Sequence, residues 1–219
     1  MFRADNRVVG LVSMAVLVGS LSACGAGGSG SGDDSSEPSR ASASDLAAMF
    51  SGVHADYDPA ASPRDLADDS ALVVSGSVLE FHEGRTQLID EVSGFTDVSI
   101  VATVKVSEVL EGALSPESNG LVYVEFLRSG EATAADYTAA LPDENEAVLY
   151  LVRSRPGDET LQDPAAARPA GQPMMAPVNP QGFWMADGSG SIAVMEDEQS
   201  EDPLDEALPD SEAFPDEAP

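Results

Sequence analysis

Thiols are almost missing from this chain: 219 residues contain one cysteine, Cys24. One cysteine cannot close an internal disulfide, and no set of cysteines exists to hold zinc. Lysine is as scarce, with Lys105 alone, and there are only two histidines, His54 and His82, and one tryptophan, Trp184. Basic residues number 10 against 39 acidic ones, a formal charge of −29. Nucleic-acid binding depends on basic side chains that neutralise phosphates, so nucleic acid is not an expected partner. A bare anionic lipid surface is disfavoured for the same reason. Cations, basic protein patches and cationic peptides remain. Most of the carboxylates need no partner, since high net charge by itself opposes association.

Familiar catalytic patterns are also missing. There is no G-x-S-x-G, no G-x-G-x-x-G and no Walker sequence. A serine–lysine arrangement would need Lys105, whose strand pattern sends it to a solvent face. Two histidines leave a nucleophile–base pair little to build on. Carboxylate pairs are abundant but unmarked, because in a chain with 39 acids the proximity of two means little.

There is one long apolar run. Arg3 and Arg7 form a positive head, and Val8 to Leu21 follow almost without polar interruption. A charged head, a short apolar run and small residues before a cut mark an export signal. The run falls short of the ~20 apolar residues that a spanning helix needs. It ends in Leu21-Ser22-Ala23-Cys24. This tetrad resembles the lipobox of bacterial lipoproteins. The resemblance implies that Cys24 Sγ carries a diacylglycerol, that the Ala23–Cys24 bond is cut, and that Cys24 becomes the mature N-terminus. It also implies a cell-membrane location on the extracytoplasmic side. Each buried methylene contributes ~0.8 kcal/mol, so two acyl chains hold stably where one holds marginally. Once Cys24 is lipidated, no thiol nucleophile remains. Removing Arg3, Arg7 and Asp5 from 10 basic and 39 acidic residues leaves 8 and 38, a formal charge of −30.

Four segments follow from composition. Residues 1–23 are the signal, and residues 24–44 hold the lipidated cysteine and a flexible Gly/Ser-rich tether. The tether's root-mean-square reach is ~25 Å. Residues 45–195 have the length of one domain, and 196–219 hold 11 acidic residues and no basic one. Such a tail buries too little apolar area to offset its ordering entropy, so it is expected to be disordered.

Within 45–195 the dominant period is two. Ile100, Ala102, Val104 and Val106 alternate with Val101, Thr103 and Lys105, and Val122, Val124 and Phe126 share one face. Ala147 to Val152 is apolar on both faces and reads as a central strand. Ala71 to Phe81 is another strand whose apolar phase slips at Gly76, as at a bulge. His82-Glu83-Gly84-Arg85 reads as a turn into a further strand near Thr86–Val92. Phe183-Trp184-Met185 and Ile192-Ala193-Val194 flank a Gly-rich turn, a hairpin signal. Three short helices are expected, near Ser44–Phe50, at Pro63–Asp68 and at Thr133–Ala140.

The expected fold is therefore mainly β, with five to six strands and a few short helices. The succession 65–78, 101–112, 121–127 and 145–152 is similar to small OB-like β-barrel domains of exported proteins from high-GC Gram-positive bacteria. That resemblance implies a barrel and carries no active-site residues, and many ligand types bind such folds.

Site candidates are few. His54, Asp56 and Asp58 are close in sequence but lack the fuller ligand set that zinc or calcium needs, so no metal or cofactor is expected. Arg155 to Gln181 is a proline-rich loop carrying Met174-Met175 and leading to Phe183 and Trp184. Paired methionines make adaptable apolar contacts. Met174, Met175, Phe183 and Trp184 therefore form the candidate partner-binding edge, with packing over a barrel end as the alternative. The function expected is a non-enzymatic binding module at the cell envelope, with an envelope protein or a cationic ligand as partner. A metal- or carboxylate-dependent hydrolase is the alternative.

Overall fold

Two long strands, β1 (Leu72–Asp90) and β2 (Phe95–Glu111), organise the sheet. The computed structural model describes residues 41–52, 56–90, 94–154, 161–163, 165–186, 190–196, 198–200 and 203–214. The signal, Ala23, Cys24, nearly all of the tether and His54 lie outside the described residues. The fold is mainly β, and the sheet is mixed. The remaining strands are β3 (Leu121–Leu127), β4 (Glu146–Arg153), β5 (Leu161–Gln162), β6 (Met174–Pro177), β7 (Phe183–Ala186), β8 (Ser191–Ala193) and β9 (Glu198–Ser200). Among the described residues there are thus nine strands rather than the expected five to six, because short segments from the proline-rich loop and the acidic tail add to the sheet's edges and gaps.

The strands pair in the order β5-β1-β2-β3-β6-β4-β7-β8-β9, and β1 also pairs β4. Strands β1, β2, β3, β6 and β4 are therefore linked in a hydrogen-bonded circuit. Every pairing is antiparallel except β3 with β6, where Tyr123 lies opposite Met174. The doubly apolar β4 is central, as its composition predicts: it pairs with β1, β6 and β7.

Alternation then sorts the side chains. Val74, Val78, Ile100, Val104, Val124, Phe126, Leu149 and Phe183 enter one core. Val73, Val148, Tyr150, Trp184 and Ala193 enter a second cluster on the opposite face of the sheet, with Leu66, Leu204 and Ala207. Three helices complete the core: α1 (Ala43–Phe50), α2 (Pro63–Asp68) and α3 (Ala134–Ala139). Helix α1 begins inside the expected tether, because Ser42 and Asp45 form a reciprocal capping box that starts the helix there. It delivers Phe50, which lies 5.2 Å from Phe126 and 5.1 Å from Tyr137 between ring centroids.

Two local readings change. The expected turn at His82–Arg85 is not made: β1 runs through it, with a register shift between Glu83 and Thr86. Gly84 lets the backbone approach Ser99, where a Cβ would collide with the Ser99 carbonyl and hydroxyl. The Arg85 side chain is then drawn onto β3, where Nε lies 2.5 Å from Glu125 Oε1 and Nη2 2.6 Å from Glu125 Oε2.

The acidic tail also departs from expectation. Leu204–Ala207 form a 3₁₀ turn, Leu204 and Ala207 are buried, and Phe214 stacks on Trp184 at 5.8 Å. A few apolar residues spaced through the acids suffice, because the sheet already offers an uncovered apolar face.

Candidate functional site: an acidic groove

The groove begins where β1 and β4 part. Their pairing runs from Leu72↔Leu151 to Gly76↔Ala147 and then ends. At that point the register of β1 against β2 shifts between Ser75 and Gly76. A Cβ at Gly76 would fall on the Lys105 carbonyl, so the close strand approach needs glycine. Past the parting, an asparagine side chain replaces the neighbouring strand. Asn145 Oδ1 accepts the Val78 N–H at 2.9 Å, and its Nδ2 donates to the Val78 and Pro142 carbonyls.

Helix α3 fixes the adjoining wall. Its capping box joins Thr133 and Asp136, whose exposed carboxyl is held below the ordinary range by hydrogen bonds from the Thr133 backbone and hydroxyl. Thr138 Oγ1 accepts the Phe81 N–H at 2.8 Å, tying the helix to β1. The segment 142–146 is thereby held along the rim between α3 and β4.

The result is a groove of about 1380 Å³. Ser75, Ser77 and Leu79 line one side, Val148 and Ala186 the floor, and Leu204 and Leu208 a third wall. Among the described residues five carboxylates line it, from Glu108, Asp143, Glu144, Glu146 and Asp205, with no lysine, arginine or histidine. All five residues are exposed, while Val148 and Leu204 are buried. The groove thus joins an apolar floor to an anionic rim, which suits a ligand with both apolar and cationic groups.

The residues singled out from sequence lie elsewhere and apart. Met174, Met175, Phe183 and Trp184 are all buried, so they do not form an exposed edge. Alternation divides them: Met175 and Phe183 enter the main core, Trp184 the opposite cluster, and Met174 a third cluster with Val101 and Tyr123. Trp184 nevertheless borders the groove's surroundings, since its cluster includes Val148 and Leu204. Its indole N–H is buried without a hydrogen-bond partner among the described residues. Asp56 and Asp58 are exposed, and His82 Nε2 lies 3.3 Å from Glu80. Among the described residues no three His, Cys, Asp or Glu side chains are placed to hold a metal. The D-E-N-E run at 143–146 was the sequence signal for the groove, but it reads as one more acidic turn in an acidic chain.

A largely buried ion pair stands on another part of the sheet. Arg85 and Glu125 side chains are each 12% exposed, and Ser154 and Ser99 hydroxyls add bonds to the carboxylate. Burial alone would raise the Glu125 carboxyl, but hydrogen bonds from Arg85 and Ser154, the Arg85 charge and the Ser99 bond together hold it below the ordinary range. A pair so fully engaged ties β1, β2, β3 and the end of β4 together through Arg85, Ser99, Glu125 and Ser154.

No family model, curated protein or solved structure matches this chain.

Proposed function

We propose that the protein is an exported lipoprotein, held at the membrane by a diacylglyceryl group on Cys24, and that its domain is a non-enzymatic module binding a cationic partner at the cell envelope. The anchor rests on Leu21-Ser22-Ala23-Cys24 behind its apolar run. The fold reading is an OB-like barrel, supported by the β1–β2–β3–β6–β4 circuit that returns to β1 and by the parallel β3–β6 pair. One observation carries the binding reading: a large groove with an apolar floor and, among the described residues, five carboxylates and no basic residue.

The test uses the full chain and an amphipathic peptide of alternating lysine and leucine, followed by the emission of Trp184. Saturable binding is expected, weakening as salt rises. Combining Asp143→Asn, Glu144→Gln and Glu146→Gln should weaken it by about tenfold or more. Absence of saturable binding, or equal affinity in the triple variant, would reject the groove as a cation-binding site.

A further inference from the structure

A second cleft has the opposite electrostatic character. It encloses about 250 Å³ at the strand ends, bounded by the β2–β3 connection, the start of β3, the end of β4 and the approach to β6. The chain has 39 acidic residues, yet among the described residues no Asp or Glu lines this cleft. The one charged side chain among the described residues that line it is Arg153. Leu72, Leu114, Leu121 and Met175 supply an apolar back.

Arg153 differs from the other arginines of the described residues. Arg64 pairs with Glu111 and Asp68, Arg85 with Glu125, and Arg128 with Glu83. Arg168 donates to the Gln172 carbonyl. Arg153 makes no ion pair or side-chain hydrogen bond among the described residues, although the chain is rich in carboxylates that would satisfy it. A guanidinium presents a planar fork that matches a carboxylate through two parallel hydrogen bonds. The β4–β6 register sets Arg153 opposite Met175, so charge and apolar wall are held by paired backbone. The cleft's rim is also braced: Gln172 Nε2 donates to the Glu117 carbonyl at 2.7 Å, which fastens the approach to β6 onto the β2–β3 connection.

The geometry points to a binding site for a small monocarboxylate with an apolar tail, its carboxylate on Arg153 and its tail against Leu72, Leu114, Leu121 and Met175. The volume lies below the ~300–1,000 Å³ of most ligand pockets, so the ligand is short. The surrounding negative field disfavours multiply charged anions, which leaves a single negative charge as the best match. This site is separate from the acidic groove, with which it shares no lining residue.

The test is calorimetric titration of the full chain with sodium hexanoate, and with 1-hexanol as the uncharged control. Hexanoate is expected to bind at one site, with hexanol at least tenfold weaker. Arg153→Gln should weaken hexanoate at least tenfold and leave hexanol unchanged, and Arg153→Lys should fall between. Arg153 is exposed and makes no ion pair among the described residues, so these variants are expected to melt with the wild type. Ala113→Phe, at an exposed lining position, keeps the guanidinium but fills the cleft, and should abolish both titrations. Hexanoate binding that survives Arg153→Gln or Ala113→Phe would overturn the site. So would equal binding of hexanol and hexanoate, or no binding of hexanoate by the wild type.

Discussion

Tyr150, at the centre of β4, donates its phenolic O–H to the Ala207 carbonyl at 2.6 Å, and both residues are fully buried. This bond joins the middle of the sheet to the acidic C-terminal segment that walls the groove. Tyr150→Phe would leave the Ala207 carbonyl buried without a partner, at a cost of ~1–3 kcal/mol. Urea unfolding should show that loss, and proteolysis should cut the C-terminal segment faster. Burial first, then the Glu111 and Asp210 charges, raise the Tyr150 phenol far above its usual 10.0. A raised folded value means that its contribution is complete below the unfolded value and is lost as pH rises above it. Alkaline unfolding should therefore begin above about pH 10 and be shallower in Tyr150→Phe.

The C-terminal segment covers Trp184 as well. Ending the chain after Met195 would remove Phe214 from the indole face and Leu204 and Ala207 from the cluster with Leu66 and Tyr150. Burying one large apolar side chain contributes ~1.5–3 kcal/mol, so the shortened chain should lose about 3 kcal/mol or more. Trp184 emission should shift to the red. A shortened chain with unchanged stability and emission would show that the segment contributes no packing.

Glu125 sets the acid limb of stability. Its carboxyl is held below the ordinary 4.5, so its contribution is complete above the unfolded value and is lost as pH falls through the lower folded value. The melting temperature should decline below about pH 4.5, with a smaller slope in Glu125→Gln. Glu125→Ala removes the two charge-assisted hydrogen bonds between Arg85 and Glu125 and leaves the Arg85–Ser154 bond, at a cost of ~1.5–3 kcal/mol. Pairing Arg85→Met with Glu125→Leu should recover most of it, since a packed apolar pair escapes the desolvation cost.

Phe50 is the point at which α1 enters the core. Its ring meets Phe81, Phe126, Tyr137 and Phe183 at 5.1–6.4 Å between centroids. Phe50→Ala should cost ~3–5 kcal/mol, while Met49→Ala, on the same helix but only partly buried, should cost less. Equal losses would show that the helix is held by something other than this ring cluster.

The anchor is checked in cells. A radioactive fatty acid should label the wild type and not Cys24→Ser, and the variant should leave the membrane fraction. Labelling of Cys24→Ser, or an unlabelled wild type, would reject lipidation.

Period and capping residues made much of the fold legible. Helix α2 starts at the proline that sequence places in its first turn, and α3 falls within the span 133–140 that sequence marks. The slip at Gly76 was readable because the apolar phase breaks there, and it coincides with the end of the β1–β4 pairing. Arg85 was not readable in the same way. Its neighbours His82, Glu83 and Gly84 have turn composition, and the force that keeps them in a strand is Glu125, 40 residues away. The two methionines show the limit from the other side. They look like an adaptable loop surface until β3 and β4 arrive to pair with them.

The sequence by itself determined the alternation of apolar residues, the excess of acid and the positions of caps and bends, because each depends on near neighbours. Tertiary structure alone decided which carboxylates share a groove and which arginine is left without one. Asp143, Glu144 and Glu146 meet Glu108 and Asp205 because β1 parts from β4 at Gly76 and the C-terminal segment folds back onto Tyr150. Arg153 faces a cleft that no acid among the described residues lines, because segments distant in sequence bring small, amide, apolar and Tyr123 side chains to it. Charge adds up along a chain, but its meaning at a site depends on which side chains the fold brings within a few ångströms.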